Sequence, residues 1–95
     1  MRVTVESNLS IKNMFEPPLE LHIEENAFTL RDLLKKLDKM CPLLEFFRDG
    51  IPGENVNGLL LNGKPHRLLP CGLSTGLTDG DRVKLEVTLE PLWGG

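Results

Sequence analysis

The chain has 95 residues, which is enough for one domain with its own hydrophobic core. Apolar residues make up 40% of the chain and charged residues 26%, values that argue against a wholly disordered, collagen-like or membrane-embedded protein. The net charge of -3 without a basic stripe argues against nucleic-acid binding, and no apolar run is long enough to span a bilayer, so we expect a cytoplasmic protein.

Two strands are predicted at the start of the chain. Apolar and polar residues alternate over residues 1–6 and again over residues 19–24. This period of two is typical of half-buried strands. The segment between them contains Met14, Phe15 and the Pro17-Pro18 pair, so we predict a long turn that joins the two strands.

The clearest helix signal follows Thr29. Thr29 can cap the helix, and Asp32 stands three residues later in the capping-box position. Apolar residues then fall at helical spacing at Leu30, Leu33, Leu34, Leu37, Met40 and Cys41. Pro42 ends the pattern because proline cannot continue a helix. We therefore predict a helix with one apolar stripe that faces the sheet.

The segment over residues 43–55 carries conflicting signals. Its first five residues could form a short helix, whereas Asp49-Gly50 and Pro52-Gly53 favour turns. We predict an irregular connection here, with the side chains of Phe46 and Phe47 in the core.

A hairpin is predicted next. Leu59-Leu60-Leu61 is followed by Asn62-Gly63, a pair that tolerates positive φ at both central positions of a type I′ turn. Leu68-Leu69 is then assigned to a short returning strand.

The last predicted strand covers residues 82–90. It follows a turn over Thr78-Asp79-Gly80-Asp81 and alternates apolar with polar residues throughout. Pro91 lacks a backbone donor and marks its end. The domain prediction is therefore residues 1–90, followed by a flexible tail over residues 91–95 that ends in Gly94-Gly95.

This element order predicts a two-layer α+β domain. The helix follows the first strand pair, so the chain must cross over before it continues the sheet, and the first and last strands become neighbours at the centre. We expect a mixed sheet of four to five strands with one main helix on one face. The other face should meet water through Arg2, Thr4, His22, Lys84, Glu86 and Thr88.

Three motifs carry a resemblance to a known family. They are Asn62-Gly63-Lys64, the run Leu77-Thr78-Asp79-Gly80-Asp81-Arg82-Val83, and the terminal Gly94-Gly95. With them the chain resembles the ubiquitin-like sulfur carriers of β-grasp fold, most of all the small subunit of molybdopterin synthase, and also the carrier of thiazole synthesis. Element order extends the resemblance over nearly the whole chain, whereas the motifs lie only in its second half.

The resemblance implies chemistry at the C-terminal carboxylate of Gly95. An adenylyltransferase of the ubiquitin-activating type would use ATP to make the acyl-adenylate, and persulfide sulfur would convert it to a thiocarboxylate. The large subunit of molybdopterin synthase, or another acceptor enzyme, would take the sulfur for molybdenum or tungsten cofactor biosynthesis. The chain would then be a sulfur-carrying co-substrate or small subunit that binds no cofactor itself, not a complete enzyme.

Four residues before Gly95 are predicted to contact partners. Gly94 has no Cβ, so a narrow channel can close around bare backbone. Leu89, Leu92 and Trp93 are candidate anchors, and tryptophan is enriched at binding hot spots. Trp93 departs from the small residue that the family usually has before the glycine pair, so it could instead fold back on the domain.

Two other functions stay open at this point. A ubiquitin-like modifier linked through Gly95 to lysines begins with the same adenylate, and some relatives serve tRNA thiolation or thiamine thiazole synthesis. A plain binding module with an inert tail is the third interpretation. We expect both cysteines to be free thiols, and we assign no metal or catalytic role to Cys41, Cys71, His22, His66 or the lysines Lys35, Lys36 and Lys39.

Overall fold

The computed structural model describes residues 1–88. Within them it contains seven strands and one α-helix. In chain order these are β1 Arg2–Ser7, β2 Leu19–His22, α1 Leu30–Met40, β3 Phe47–Arg48, β4 Ile51–Pro52, β5 Val56–Leu61, β6 Lys64–Pro65 and β7 Arg82–Val87. Short 3-10 turns cover His66–Leu68 and Gly72–Ser74. Residues 89–90 of the predicted last strand and the tail over 91–95 lie outside the described residues.

Five of the strands form one mixed sheet in the order β2-β1-β7-β5-β6. β1 and β7 run parallel at its centre, with Val5 opposite Val83, and the other neighbours are antiparallel. A parallel pair requires a crossover connection, which here includes α1. The predicted α+β class, the mixed sheet and the central position of the first and last strands are confirmed.

Helix α1 begins at the predicted cap. The Asp32 N–H donates to Thr29 Oγ1 at 3.2 Å, and the Thr29 N–H donates to Asp32 Oδ2 at 3.0 Å, which completes the capping box. Leu30, Leu33, Leu34 and Leu37 are fully buried. The helix ends at the C-cap Cys41, directly before Pro42. Its apolar stripe therefore covers one face of the sheet, as predicted.

The core lies between α1 and the sheet. Val3 and Val5 of β1 and Val83, Leu85 and Val87 of β7 alternate inward and are buried. The long connection after β1 adds Phe15, whose ring centroid lies 5.5 Å from that of Phe46. On the opposite face, the side chains expected to meet water are exposed except Thr4, which is half-buried.

The prediction for residues 43–55 needs a correction. β3 and β4 form a separate two-stranded hairpin around Asp49 and Gly50, which have φ of 48° and 85°. Both residues adopt the left-handed conformation that a tight type I′-like turn requires. Phe46 is fully buried as predicted, whereas Phe47 is only half-buried and receives the Lys35 ammonium 5.4 Å from its ring centroid.

The assignment of Leu68-Leu69 to a returning strand was wrong. Asn62 and Gly63 do form the predicted turn, with φ of 51° and 85°, but the strand after it is β6 and contains only two residues. Proline fixes its own φ and cannot donate to a ladder, so Pro65 ends the pairing and the chain turns into 3-10 geometry. Leu68 is therefore exposed.

Candidate functional site

All five predicted site residues follow β7. Leu89, Leu92, Trp93, Gly94 and Gly95 lie outside the described residues, so the structure tests none of these predictions. The structure does describe Thr88, which follows β7 and directly precedes Leu89 in the chain.

β7 is the central strand of the sheet and has a neighbour along each edge. β1 pairs with it from Thr4↔Arg82 to Ser7↔Leu85, and β5 pairs with it on the other side from Val56 to Leu61. The carboxyl end of β7 therefore lies between the end of β1 and the start of β5. Three asparagines contact it there.

Asn8 bonds to the end of β7 on the β1 side. Its amide nitrogen donates to the Val87 carbonyl at 2.9 Å, and its amide oxygen accepts from the Val87 N–H at 2.7 Å. An asparagine amide carries one acceptor and two donors, so it can pair with a backbone residue as a second strand would. Asn8 thus extends the β1–β7 ladder beyond its last backbone pair.

On the β5 side, Asn55 bonds to Thr88, the residue after Val87. Its backbone carbonyl accepts from the Thr88 N–H at 2.9 Å, and its amide nitrogen donates to the Thr88 carbonyl at 2.9 Å. The amide oxygen of Asn55 accepts from the Glu45 N–H at 2.8 Å. Asn55 therefore connects the end of β7 to the segment that follows α1.

Asn57 contributes the third contact. The register between β5 and β7 shifts between Val56 and Gly58, which leaves Asn57 as a bulge. Bulges redirect side chains, and the amide nitrogen of Asn57 donates to Thr88 Oγ1. We call Asn8, Asn55 and Asn57, together with their partners Val87 and Thr88, the exit clamp.

The opposite end of β7 is held by a buried carboxylate. Asp81 accepts from the Thr78 N–H at 2.8 Å, from the Thr78 hydroxyl at 3.2 Å and from the Asn62 amide at 3.0 Å. The amide oxygen of Asn62 in turn accepts from the Arg82 N–H at 2.9 Å. We call Asn62, Thr78, Asp81 and Arg82 the entry network.

The entry network gives a physical role to two of the three resemblance motifs. The carbonyl of Asp81 accepts from the Thr4 N–H at 3.0 Å, and Asp79 accepts from the Arg2 N–H at 2.7 Å, so the turn also joins β1. Asn62-Gly63 and Thr78-Asp79-Gly80-Asp81 thus connect three strands at the end of the domain remote from the exit clamp. Their role in this domain is structural.

The surface beside the exit clamp includes one exposed apolar side chain. Leu43 is 67% exposed and lines a shallow depression with Pro42, Glu45 and Asn55. Asn55 belongs to the exit clamp, so this depression lies next to the place where the chain leaves the sheet.

The cysteines and histidines without an assigned role lie in different parts of the fold. Cys41 is buried and Cys71 is exposed, and both are free thiols as predicted. His22 is exposed on β2, and His66 is half-buried in a 3-10 turn. Within residues 1–88 no group of three or more His, Cys, Asp or Glu side chains could hold a metal ion. In the same part of the chain, no helix has the length and apolar character needed to cross a membrane.

Sequence reasoning missed the exit clamp. Asn8 and Val87 are 79 residues apart in the chain, and Asn55 and Thr88 are 33 apart. The available signal was the position of Asn8 shortly after the first predicted strand and of Asn55 at the end of the predicted irregular segment, where this residue type is common for local reasons. Only the sheet order brings them to one strand end.

The topology defines the class of this domain. A parallel central pair made by the first and last strands, a helix packed across one face, and the order β2-β1-β7-β5-β6 are the features of a β-grasp fold. The fold implied by the resemblance is therefore present.

Comparison with known proteins supports the same fold. The sequence matches no family model, and no curated protein matches it significantly. The solution structure of the Haloferax volcanii HVO 2177 protein is similar to this structure, with a TM-score of 0.72 and 21% sequence identity over 94% of this chain and 84% of that one. At this level of identity the similarity concerns the fold alone.

Proposed function

We propose that this chain is a sulfur carrier, adenylated and then thiocarboxylated at Gly95, that donates sulfur in molybdopterin biosynthesis. The observation that supports this most is the course of β7. The central strand of a β-grasp sheet leads through the exit clamp into the segment that ends in Gly94-Gly95. A strand held along both edges gives that segment a fixed starting point.

The proposed chemistry takes place at one carboxylate. The α-carboxylate of Gly95, ionised at neutral pH, attacks the α-phosphate of ATP held by the adenylyltransferase, and pyrophosphate leaves. The terminal sulfur of a persulfide then displaces AMP from the acyl-adenylate. A thiol reduces the resulting acyl disulfide, which leaves the thiocarboxylate on Gly95. ATP is bound by the partner, and this chain supplies the acyl group.

The proposed partners are two proteins. The first is an adenylyltransferase of the ubiquitin-activating type, and the second is the large subunit of molybdopterin synthase or another sulfur acceptor. Gly94 would pass through a narrow channel, and Leu89, Leu92 and Trp93 would supply apolar contacts. The two free thiols suit a reducing cytoplasm, which is where we propose that the reaction occurs.

Intact mass of the protein isolated from its own cells tests the proposal directly. A free Gly95 carboxylate and its thiocarboxylate differ by the mass difference between oxygen and sulfur. A ubiquitin-like modifier would instead appear as ladders on larger proteins. An inert tail would give one unmodified mass under all conditions, and that result would reject both the carrier and the modifier.

Changing the length of the tail tests the reacting atom. Deleting Gly95, or adding one residue after it, moves the carboxylate by about 3.5 Å along an extended chain, and a displacement of about 1 Å can cost a hundredfold in rate. We expect both changes to abolish ATP-dependent thiocarboxylate formation, followed by mass, with an unchanged melting temperature. Gly76→Ala is the control, because a Cβ there meets nothing within 4 Å. Equal rates for all four proteins would show that Gly95 is not the carrier.

A further inference from the structure

Val87 and Thr88 are the last two described residues, and the backbone N–H and carbonyl of each are hydrogen-bonded. Val87 exchanges both of its bonds with the Asn8 side chain, and Thr88 exchanges both of its bonds with Asn55. We propose that the exit clamp is a positioning device that fixes where, and in which direction, the chain leaves the sheet towards Gly95. This inference rests on the proposed function.

The β1 side shows why a side chain is needed at this place. The backbone pairing of β1 with β7 stops at Ser7↔Leu85. The Ser7 hydroxyl then accepts from the Leu9 N–H at 3.2 Å, and the backbone bends at Asn8. On the β1 side the Val87 N–H and carbonyl would have no backbone partner, and the Asn8 amide takes that place.

The β5 side is anchored independently. Asn55 accepts from the Glu45 N–H, and Glu45 Oε2 accepts from the Glu54 N–H at 3.2 Å. Gly53 also packs on Glu45, since a Cβ at Gly53 would lie 2.2 Å from the Glu45 carbonyl oxygen. The exit clamp is therefore attached both to the end of β1 and to the segment after α1, and these two attachments restrict motion of the strand end.

Positioning matters because the proposed reacting carboxylate stands several residues further along the chain than the exit clamp. Seven residues separate Thr88 from the end of Gly95, a maximum reach of about 25 Å at roughly 3.3 to 3.6 Å per residue. An unbonded strand end frays, and its freedom must be lost again when the tail is ordered in a partner. The exit clamp removes that freedom before binding.

The test compares two asparagines at opposite ends of the same strand. Asn8→Ala removes the exit bonds of Val87, and Asn62→Gly removes the entry bonds to Asp81 and Arg82 while it keeps the positive φ that position 62 needs. The full-length proteins are assayed for ATP-dependent adenylation with each adenylyltransferase of the ubiquitin-activating type from the source genome. We expect kcat/KM to fall about tenfold for Asn8→Ala and less than twofold for Asn62→Gly, although both lower the melting temperature.

A conservative variant and a second measurement separate positioning from stability. Asn8→Asp keeps the acceptor for the Val87 N–H but places a second carboxylate oxygen against the Val87 carbonyl, so its kcat/KM should also fall below that of the parent. Amide exchange followed by NMR should accelerate at Val87 and Thr88 in Asn8→Ala, with the α1 amides changed no more than in Asn62→Gly.

Each failure has its own signature. If Asn8→Ala and Asn62→Gly lose the same fraction of kcat/KM, or Asn8→Ala loses none, the exit clamp is merely structural and this inference is wrong. If the parent chain is not adenylated by any such enzyme, the proposed function fails, and unchanged exchange at Val87 and Thr88 in Asn8→Ala would separately refute the exit clamp.

Discussion

At its entry end β7 follows a buried carboxylate, and at its exit end it is held by neutral amides. Asp81 is only 9% exposed and accepts three hydrogen bonds, whereas Asn57 and Thr88 at the other end are exposed. Both ends therefore satisfy backbone groups through side chains, but with different charge and different access to water.

The difference indicates a division of roles along one strand. Hydrogen bonds to a charged, buried acceptor contribute about 1.5 to 3 kcal/mol each, while neutral hydrogen bonds contribute about 1 kcal/mol and less where water can replace the partner. The entry network should therefore hold the strands of the domain together. The exit clamp should contribute less to global stability than the entry network and should act mainly on the direction of the chain.

The largest effect should come from a substitution in the core that α1 shares with the sheet. Leu37→Asp places a charge at a fully buried position of α1, within that core. Burial of an unpaired charge should cost several kcal/mol, a large part of the roughly 5 to 15 kcal/mol available to a domain. We expect no cooperative thermal transition. Lys36→Asp on the exposed face of the same helix is the control, and a cooperative melt equal to the parent for Leu37→Asp would contradict the fold.

The next largest effect should separate the two ends. Asp81→Ala leaves the Thr78 N–H and the Asn62 amide without their acceptor, so we expect a loss of about 3 kcal/mol of unfolding free energy by urea titration. Asp79→Ala is the matched control, because Asp79 is exposed in the same turn and its side chain, among residues 1–88, accepts only from the Arg2 N–H. Its loss should be about 1 kcal/mol or less. Equal losses of unfolding free energy for the two variants would show that the buried carboxylate of Asp81 stabilises the fold no more than the exposed carboxylate of Asp79.

The two ends also differ in how far sequence alone could predict them. Thr29 with Asp32, and Asn62 with Gly63, are local patterns whose geometry depends on residues no more than three positions apart, and both predictions were confirmed. The alternation in β1 and β7 likewise reports burial directly. These elements are sufficient for the α+β class, and the crossover that the helix requires places the first and last strands together at the centre.

The remaining errors have one local cause and one long-range cause. Leu68 was assigned to a strand, but Pro65, three residues earlier, ends the pairing of β6. The segment around Gly53 contains turn residues whose conformation is set by packing against Glu45, and the partner of Asn8 lies at the other end of the chain. Long-range contacts of this kind leave no periodic pattern.

A third prediction measures coupling within and between the two ends. Asn62 and Asp81 are directly bonded, so the stability losses of Asn62→Gly and Asp81→Ala should deviate from additivity by at least about 0.5 kcal/mol. Asn62 bonds to Arg82 and Asn8 bonds to Val87, and these two ends of the six-residue strand are about 17 Å apart at ~3.3 Å per residue. The losses of Asn62→Gly and Asn8→Ala should add within about 0.5 kcal/mol. Strong coupling between the two asparagines would mean that β7 acts as one unit.

The smallest effect should come from Thr88→Val at the exit clamp. Valine has nearly the shape of threonine and the same preference for strands, but it lacks the Oγ1 that accepts from the Asn57 amide. The N–H and the carbonyl of Thr88 bond to the carbonyl and the side-chain amide of Asn55. These two bonds do not involve the Thr88 hydroxyl and should remain. Because residue 88 is exposed, water can satisfy the freed amide of Asn57, and we expect the unfolding free energy to change by less than about 0.5 kcal/mol. Urea titration of parent and variant measures this change, and Thr88→Gly, which also weakens the strand preference, shows the response of the same site to a backbone change. A loss above about 1 kcal/mol for Thr88→Val would mean that the exit end also carries global stability, and the contrast between a stabilising entry and a positioning exit would fail.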